Sequence, residues 1–253
     1  NALVLGGGSA FGLCASDGVM QSLEARNIGF PTAYGVVPIV CQSDIYDLSY
    51  GNPKSRPTVE MARDACERTF TSTEPMSGNV GAGTGATVGK GGGMARAMKG
   101  GIGYAAAKLG DLVVGAVVVV NAFGNVYDRQ GRVLGGVMDE KRQHIVDACQ
   151  LMFDQYEGRS ESAPLLGASA KSRVVSEIVQ DSYCPDEVVL GMENGHTTIG
   201  DEMNRGMEKG NTTIGAIVTN AAFHKGELTK IAMMATNGYA RSIRPVGTLS
   251  DGD

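Results

Sequence analysis

Residues 210–220 read Gly-Asn-Thr-Thr-Ile-Gly-Ala-Ile-Val-Thr-Asn: two adjacent threonines open an apolar, β-branched run. Before them lies the polar Glu208-Lys209-Gly210-Asn211. The run lacks polar alternation, so residues 213–222 are predicted to form a strand buried on both faces, the kind that layered α/β domains use. A threonine hydroxyl at the start of such a strand is held rigidly but is a poor nucleophile until something takes its proton. A chain cut before Thr212 would place a new α-amine beside the hydroxyl of the same residue, so that one residue supplies both nucleophile and base. Such an amine titrates near neutrality and can accept a proton at working pH.

The flanking sequence supports the layered reading. Residues 2–5 (Ala-Leu-Val-Leu) read as a short buried strand that passes through a glycine-rich turn into a helix ending near Ala25. Residues 35–40 form a second apolar run. Val59, Ala62, Cys66 and Phe70 repeat at spacings of three and four, which predicts a helix over residues 58–70. A short helix is expected at 94–98, turn chemistry over 124–136 and a helix over 139–156. Residues 112–122 are predicted to be a second strand buried on both faces. Another helix is predicted over 168–179. Residues 181–211 are polar, glycine-spotted and aperiodic, as an exposed, cleavable linker would be. Leu228, Ile231, Ala232, Ala235, Tyr239 and Ile243 form a stripe, which predicts one amphipathic helix over 227–243.

Composition excludes several classes. The 253 residues carry 22 Lys plus Arg against 27 Asp plus Glu, a net charge of -5 with no basic run, which argues against nucleic acid as a partner. The longest apolar run, residues 113–120, is interrupted by Gly115 and is strand-sized, too short to span a membrane. The 5 cysteines show no Cys-x-x-Cys pairing, which predicts reduced thiols in a cytoplasmic protein. The sequence starts at Asn1, directly in a strand-like run, and stops at Asp251-Gly252-Asp253, so it reads as an internal fragment of a longer chain.

Several motifs have a plain alternative. Gly6-Gly7-Gly8-Ser9-Ala10-Phe11-Gly12 lacks the spacing of a dinucleotide fingerprint and reads better as a tight strand-to-helix turn. In residues 81–90, Gly-Ala-Gly-Thr-Gly-Ala-Thr-Val-Gly-Lys, five residues separate Gly83 from Gly89, and Gly91 stands where a phosphate loop needs Ser or Thr. Lys90 is therefore a solvated loop lysine or a charge pointed into a cleft. His144, His196 and His224 have no metal-ligand spacing, and no serine triad is indicated. Asn121 ends a predicted strand, where it can be a turn residue or an oxyanion donor. Asp251 and Asp253 form a solvated turn or two carboxylates facing the Thr212 amine. Thr197-Thr198-Ile199-Gly200 repeats the threonine motif, but Asp201-Glu202 follows it and no buried strand can form there, so Thr212 is favoured over Thr197.

Together these segments resemble the DmpA-type family of self-processing aminopeptidases and amidases, which includes β-peptidyl aminopeptidases and nylon-oligomer hydrolases. The resemblance rests on residues 1–13, the Val37-Pro38-Ile39-Val40 run leading to Ile45-Tyr46-Asp47, residues 78–90, 97–103, 113–124 and 210–220, and Arg241 to Thr248 with the Asp-Gly-Asp close, all in the family's order. It implies a four-layer αββα sandwich of the N-terminal-nucleophile-like type, one hydrolase domain over 1–253. Cleavage between Asn211 and Thr212 is implied to give a large subunit, 1–211, and a small subunit, 212–253, that stay together. Thr212 is implied as nucleophile, Asn121 and Tyr46 as oxyanion-side residues, Lys90 as the lysine of the nylon-oligomer branch, and Asp251 with Asp253 as that branch's acidic pair. The implied substrates are small peptides, amides or esters cut from the amino terminus, with internal cleavage of 6-aminohexanoate oligomers second. A related acyltransferase of the ornithine acetyltransferase type is the alternative from another class. No metal or organic cofactor is implied, and a homo-oligomer is. Residues 141–210 match the family less well.

Overall fold

The structure, a computed structural model, describes residues 1–72, 74–162 and 210–248. It is of the α/β class. The first unit is β1 (Ala2–Gly6), a 3-10 turn (Ser9–Cys14) and α1 (Ala15–Glu24), followed by the small hairpin of β2 (Phe30–Thr32) and β3 (Gly35–Val37) and then β4 (Val40–Asp44). β1 and β4 pair in parallel from Ala2↔Val40 to Gly6↔Asp44, as a strand–helix–strand crossover does. α1 packs on α2 (Val59–Thr69) through buried Ala15, Val19, Leu23, Ala62 and Cys66. Of the four residues whose spacing predicted α2, Ala62 and Cys66 are buried, while Phe70 follows the helix and is exposed; Thr58 caps the start by accepting from the Met61 N–H at 3.2 Å.

The next elements are β5 (Thr87–Val88), β6 (Met98–Lys99), β7 (Gly101–Leu109), β8 (Leu112–Val120), β9 (Asn125–Tyr127), β10 (Val133–Gly135), α3 (Ala148–Ser162), β11 (Ile214–Thr219), α4 (Lys225–Ala235), α5 (Asn237–Ser242) and β12 (Ile243–Arg244). β11, β8 and β7 make one antiparallel sheet in that order. Its register runs Ile214↔Val119 to Thr219↔Val114 on one side of β8 and Gly101↔Val120 to Leu109↔Leu112 on the other. Buried Ile45, Ala82, Ala86 and Val119, with Leu5, Ile102 and Ile214 against them, join this sheet to the β1–β4 pair.

Several expectations need correction. β8 and β11 exist as strands but are not buried on both faces: Val113 and Val114 are each 38% exposed and Val218 is 63%. β7 is not signalled by its own residues, because Gly101, Gly103 and three alanines have little strand preference; pairing with β8 makes it a strand. The segment read as turns at 124–136 holds the β9–β10 hairpin. The helix expected from 139 begins at Ala148. Asp139 instead accepts from the Gln143 N–H at 2.7 Å, and Asp147 accepts from the Gln150 N–H at 2.9 Å as the true cap. The helix expected at 94–98 is a 3-10 turn, Met94–Arg96. The stripe over 227–243 is split at Thr236 into α4 and α5, and Ile243 leaves the helix to pair with Val126. The helix expected at 168–179 and the linker at 181–209 lie outside the described residues. Among the described residues, no helix is long and apolar enough to cross a membrane.

Candidate functional site

The β11–β8 register, carried two residues beyond Ile214↔Val119, sets Thr212 opposite Asn121. The Thr212 N–H donates to the Asn121 carbonyl at 3.0 Å, extending the ladder past the strand ends. The Thr212 hydroxyl points the other way, and its Oγ1 accepts from the Tyr46 main-chain N–H at 3.3 Å. Tyr46 is presented by the end of β4, where the Ile45 N–H bonds the Gly6 carbonyl and the Ser9 N–H bonds the Ile45 carbonyl, both at 3.0 Å.

Asn121 is fully buried. Its Oδ1 accepts from the Thr87 N–H at 3.0 Å and from Lys90 Nζ at 2.8 Å; its Nδ2 donates to the Tyr46 carbonyl at 2.8 Å and, at 3.5 Å, to the Gly210 carbonyl. Lys90 is 2% exposed, so it is a buried charge and not a solvated loop lysine. Nζ also donates to the Asn121 carbonyl at 2.9 Å and the Gly210 carbonyl at 3.0 Å. Gly89, at φ +72°, turns the chain inward ahead of it; a Cβ there would fall 2.0 Å from the Gly136 carbonyl carbon, so only glycine fits.

Tyr46 meets the site through two separate groups. Its main-chain N–H meets the threonine hydroxyl, while its ring lies against Gly210, where an ideal Cβ would fall 2.1 Å from Cδ1. Asn211, on the other side of the expected cut, is 4% exposed. Thr212, Asn211, Asn121, Tyr46 and Lys90 therefore converge. Asp251, Asp253 and the duplicate Thr197 lie outside the described residues. Sequence reasoning missed Gly210 and the Thr87 main-chain N–H; a glycine two residues before the threonine was the available signal for the first, and nothing marked the second.

The glycine loop next to the site is held by an acid. The Gly8 N–H donates to Asp47 Oδ1 at 2.7 Å, so this loop spends a donor on a carboxylate that a phosphate would need. Burial raises the Asp44 carboxyl above the usual carboxylate range; the Gln42 amide works against this and the Asp47 charge adds to it. Burial also lowers Lys99, whose Nζ donates to the Gly83 carbonyl at 2.8 Å and the Ala86 carbonyl at 2.6 Å, with Asp47 opposing the shift. His144 pairs with Asp139 at the surface and His224 caps α4, where its N–H donates to Glu227 at 2.8 Å; both are structural.

The profile of the family described as Peptidase family S58 matches residues 1–253. An uncharacterized aminopeptidase of Mycobacterium leprae (strain TN) is 33% identical over 260 residues, covering 100% of this chain and 58% of that protein. One from Mycobacterium tuberculosis (strain ATCC 25618 / H37Rv) is 34% identical, covering 100% of this chain and 60% of its own length. A 6-aminohexanoate-oligomer endohydrolase of Agromyces sp. (strain KY5R) is 30% identical over 256 residues, covering 100% of this chain and 58% of that enzyme. The chain thus spans about three-fifths of the length of these curated relatives.

Proposed function

The chain belongs to peptidase family S58, the family to which its motifs pointed, and on that premise we propose that it is an amide hydrolase activated by cutting its own backbone. The observation that carries the reading is Thr212, with its N–H on the Asn121 carbonyl and its hydroxyl under the Tyr46 N–H. In the precursor, Thr212 Oγ1 attacks the Asn211 carbonyl carbon, the Asn211–Thr212 C–N bond breaks, and the hydroxyl proton ends on the released nitrogen. Water then hydrolyses the ester, freeing the Asn211 carboxylate and restoring the hydroxyl. The new α-amine keeps the Asn121 carbonyl as acceptor and turns its lone pair towards its own Oγ1.

In turnover that amine takes the hydroxyl proton while Oγ1 attacks a substrate amide. The substrate C–N bond breaks, the leaving amine receives the proton, and water releases the acid. The Tyr46 N–H and Asn121 Nδ2 serve the oxyanion; one such donor contributes about 3 kcal/mol to lowering the barrier. Lys90 holds Asn121 in place, and Asp251 with Asp253 hold the α-amine. No step calls for a metal or organic cofactor. The cut divides these residues into 1–211, belonging to the large subunit, and 212–253, belonging to the small one, within a four-layer αββα sandwich that assembles as a homo-oligomer. Peptides and oligoamides are the substrate classes, as supported by relatives named aminopeptidase and 6-aminohexanoate-oligomer endohydrolase. The test is a panel of small peptide amides and linear oligoamides offered to the full-length protein and to its Thr212→Ala variant. Hydrolysis by the first and none by the second is expected, and equal rates refute the reading.

A further inference from the structure

We infer that Asp47 is a positioning residue of this site: its carboxylate pins the Gly8–Ser9 turn, and that turn aims the Tyr46 main-chain N–H at the reacting oxygen. The inference rests on the amide-hydrolase reading and adds a residue to it.

The donor belongs to one peptide unit that is gripped at both ends. The Ser9 N–H donates to the Ile45 carbonyl at 3.0 Å, and the N–H of the same Ile45–Tyr46 peptide donates to Thr212 Oγ1 at 3.3 Å. The carbonyl and N–H of a planar trans peptide point in opposite directions, so fixing the carbonyl fixes the aim of the N–H. The turn that supplies Ser9 is not relaxed. Gly8 has φ +84°, and Ser9, which carries a Cβ, has φ +54°. A left-handed residue with a side chain costs roughly 1–2 kcal/mol and persists only where its surroundings impose it.

Asp47 imposes it. Its Oδ1 accepts from the Gly8 N–H at 2.7 Å. Its Oδ2 lies against backbone on two sides: a Cβ at Gly7 would fall 2.6 Å from it, and one at Gly85 closer still. Its own main chain is tied down, because the Tyr50 N–H donates to the Asp47 carbonyl at 3.0 Å. The carboxylate thus fills the space between two glycine turns and holds the first of two successive N–H groups. The second, on Ser9, is the one that reaches Ile45. Without the carboxylate, Ser9 relaxes out of the left-handed region and its N–H turns off the Ile45 carbonyl. Asp47 therefore acts through the turn and not on the substrate. The partner donor is held separately, since Asn121 is fixed by the Thr87 N–H and Lys90 Nζ. Loss of Asp47 misaims one donor of two.

The test uses the full-length protein, with folding of each variant checked by thermal melt. Self-cleavage is followed by intact mass from fresh purification. Processed protein is then assayed for kcat and KM on the small peptide amide of the panel above that the unaltered protein cuts fastest. Removing an oxyanion donor outright costs about 100- to 1,000-fold in kcat, so Asp47→Ala should slow both self-cleavage and kcat at least about tenfold. KM should stay within about twofold, because the donor acts on the transition state. Asp47→Asn, which keeps an acceptor for the Gly8 N–H, should recover most of both rates. Ser9→Val, whose branched side chain resists φ +54°, should self-cleave at least about fivefold more slowly than Ser9→Gly. If Asp47→Ala does not fold, Asp47→Asn and the Ser9 pair decide. Asp47→Ala at the unaltered rates, Asp47→Asn as slow as Asp47→Ala, a loss confined to KM, or Ser9→Val as fast as Ser9→Gly overturns the inference and leaves the hydrolase reading standing. No self-cleavage by the unaltered protein overturns both.

Discussion

Gly210→Ala perturbs the site by one methyl group at a measured place. The added Cβ would lie 2.1 Å from Tyr46 Cδ1, against roughly 3.4 Å for ordinary van der Waals contact, so something must open by about 1.3 Å. The obstacle is an aromatic ring next to the main-chain N–H that holds Thr212 Oγ1, not the loose end of a flexible side chain. If Tyr46 retreats, it carries that N–H away from the hydroxyl. If residues 210–211 lift instead, the Asn211 carbonyl leaves the attack position and Gly210 leaves Lys90. A misplacement of about 1 Å at reacting atoms costs on the order of 100-fold in rate. Self-cleavage of Gly210→Ala should therefore be slowed about 100-fold, measured by quenching freshly purified protein at intervals and quantifying precursor and fragments by intact mass. Adding Tyr46→Ala should restore much of the rate, because the two changes remove the two sides of one collision. Processing of the single variant at the unaltered rate refutes the steric reasoning. A failure of the double variant to recover, with its fold intact by thermal melt, refutes the assignment of the collision to the ring.

Four other outcomes follow from the same geometry. Thr212→Ala should remain one uncut, inactive chain while Thr197→Ala still processes; the reverse pattern on a denaturing gel would move the nucleophile to the duplicate motif. Asn121→Ala leaves the buried Thr87 N–H and Lys90 Nζ and the part-buried Tyr46 carbonyl each short of a partner, which should cost about 3–5 kcal/mol by denaturant titration in the Thr212→Ala background, and a loss under 1 kcal/mol contradicts the network. Burial raises the Asp44 carboxyl above its unfolded value, so the ionised group disfavours the folded state at neutral pH, a loss that disappears as pH falls below the raised value. Asp44→Asn should accordingly melt higher than the unaltered protein at pH 7 and converge with it towards pH 4; a gap that does not change with pH contradicts this. Thr58→Ala should destabilise by about 1 kcal/mol through loss of the α2 cap, and an unchanged denaturation midpoint would remove the cap from the account.

Much of the site was legible because its residues sit in distinctive local patterns. Thr212 opens an apolar run, Asn121 closes one, and Lys90 ends a glycine-rich loop that fails as a phosphate loop. Their meeting was not legible, because it depends on strand register: Ile214 opposite Val119 is set by pairing between segments far apart in sequence. β7 stayed hidden for the same reason, since glycines and alanines become a strand only through a partner. Burial of β8 and β11 was overestimated because apolar sequence reports hydrophobicity, not whether a second layer covers both faces. The role of Tyr46 was half visible. Its position next to the site follows from the motif, whereas the division of labour between its N–H and its ring follows from backbone direction at the end of β4. The helix starts were misplaced where Asp139 and Asp147 compete to bind nearby N–H groups, a choice settled by the bridge between Met138 and Ile145.

The most direct test is the intact mass of the purified full-length protein, together with amino-terminal sequencing of its smaller fragment. Two fragments, the smaller beginning at Thr212, are predicted. One unbroken polypeptide that nevertheless hydrolyses amides would contradict the account at its root.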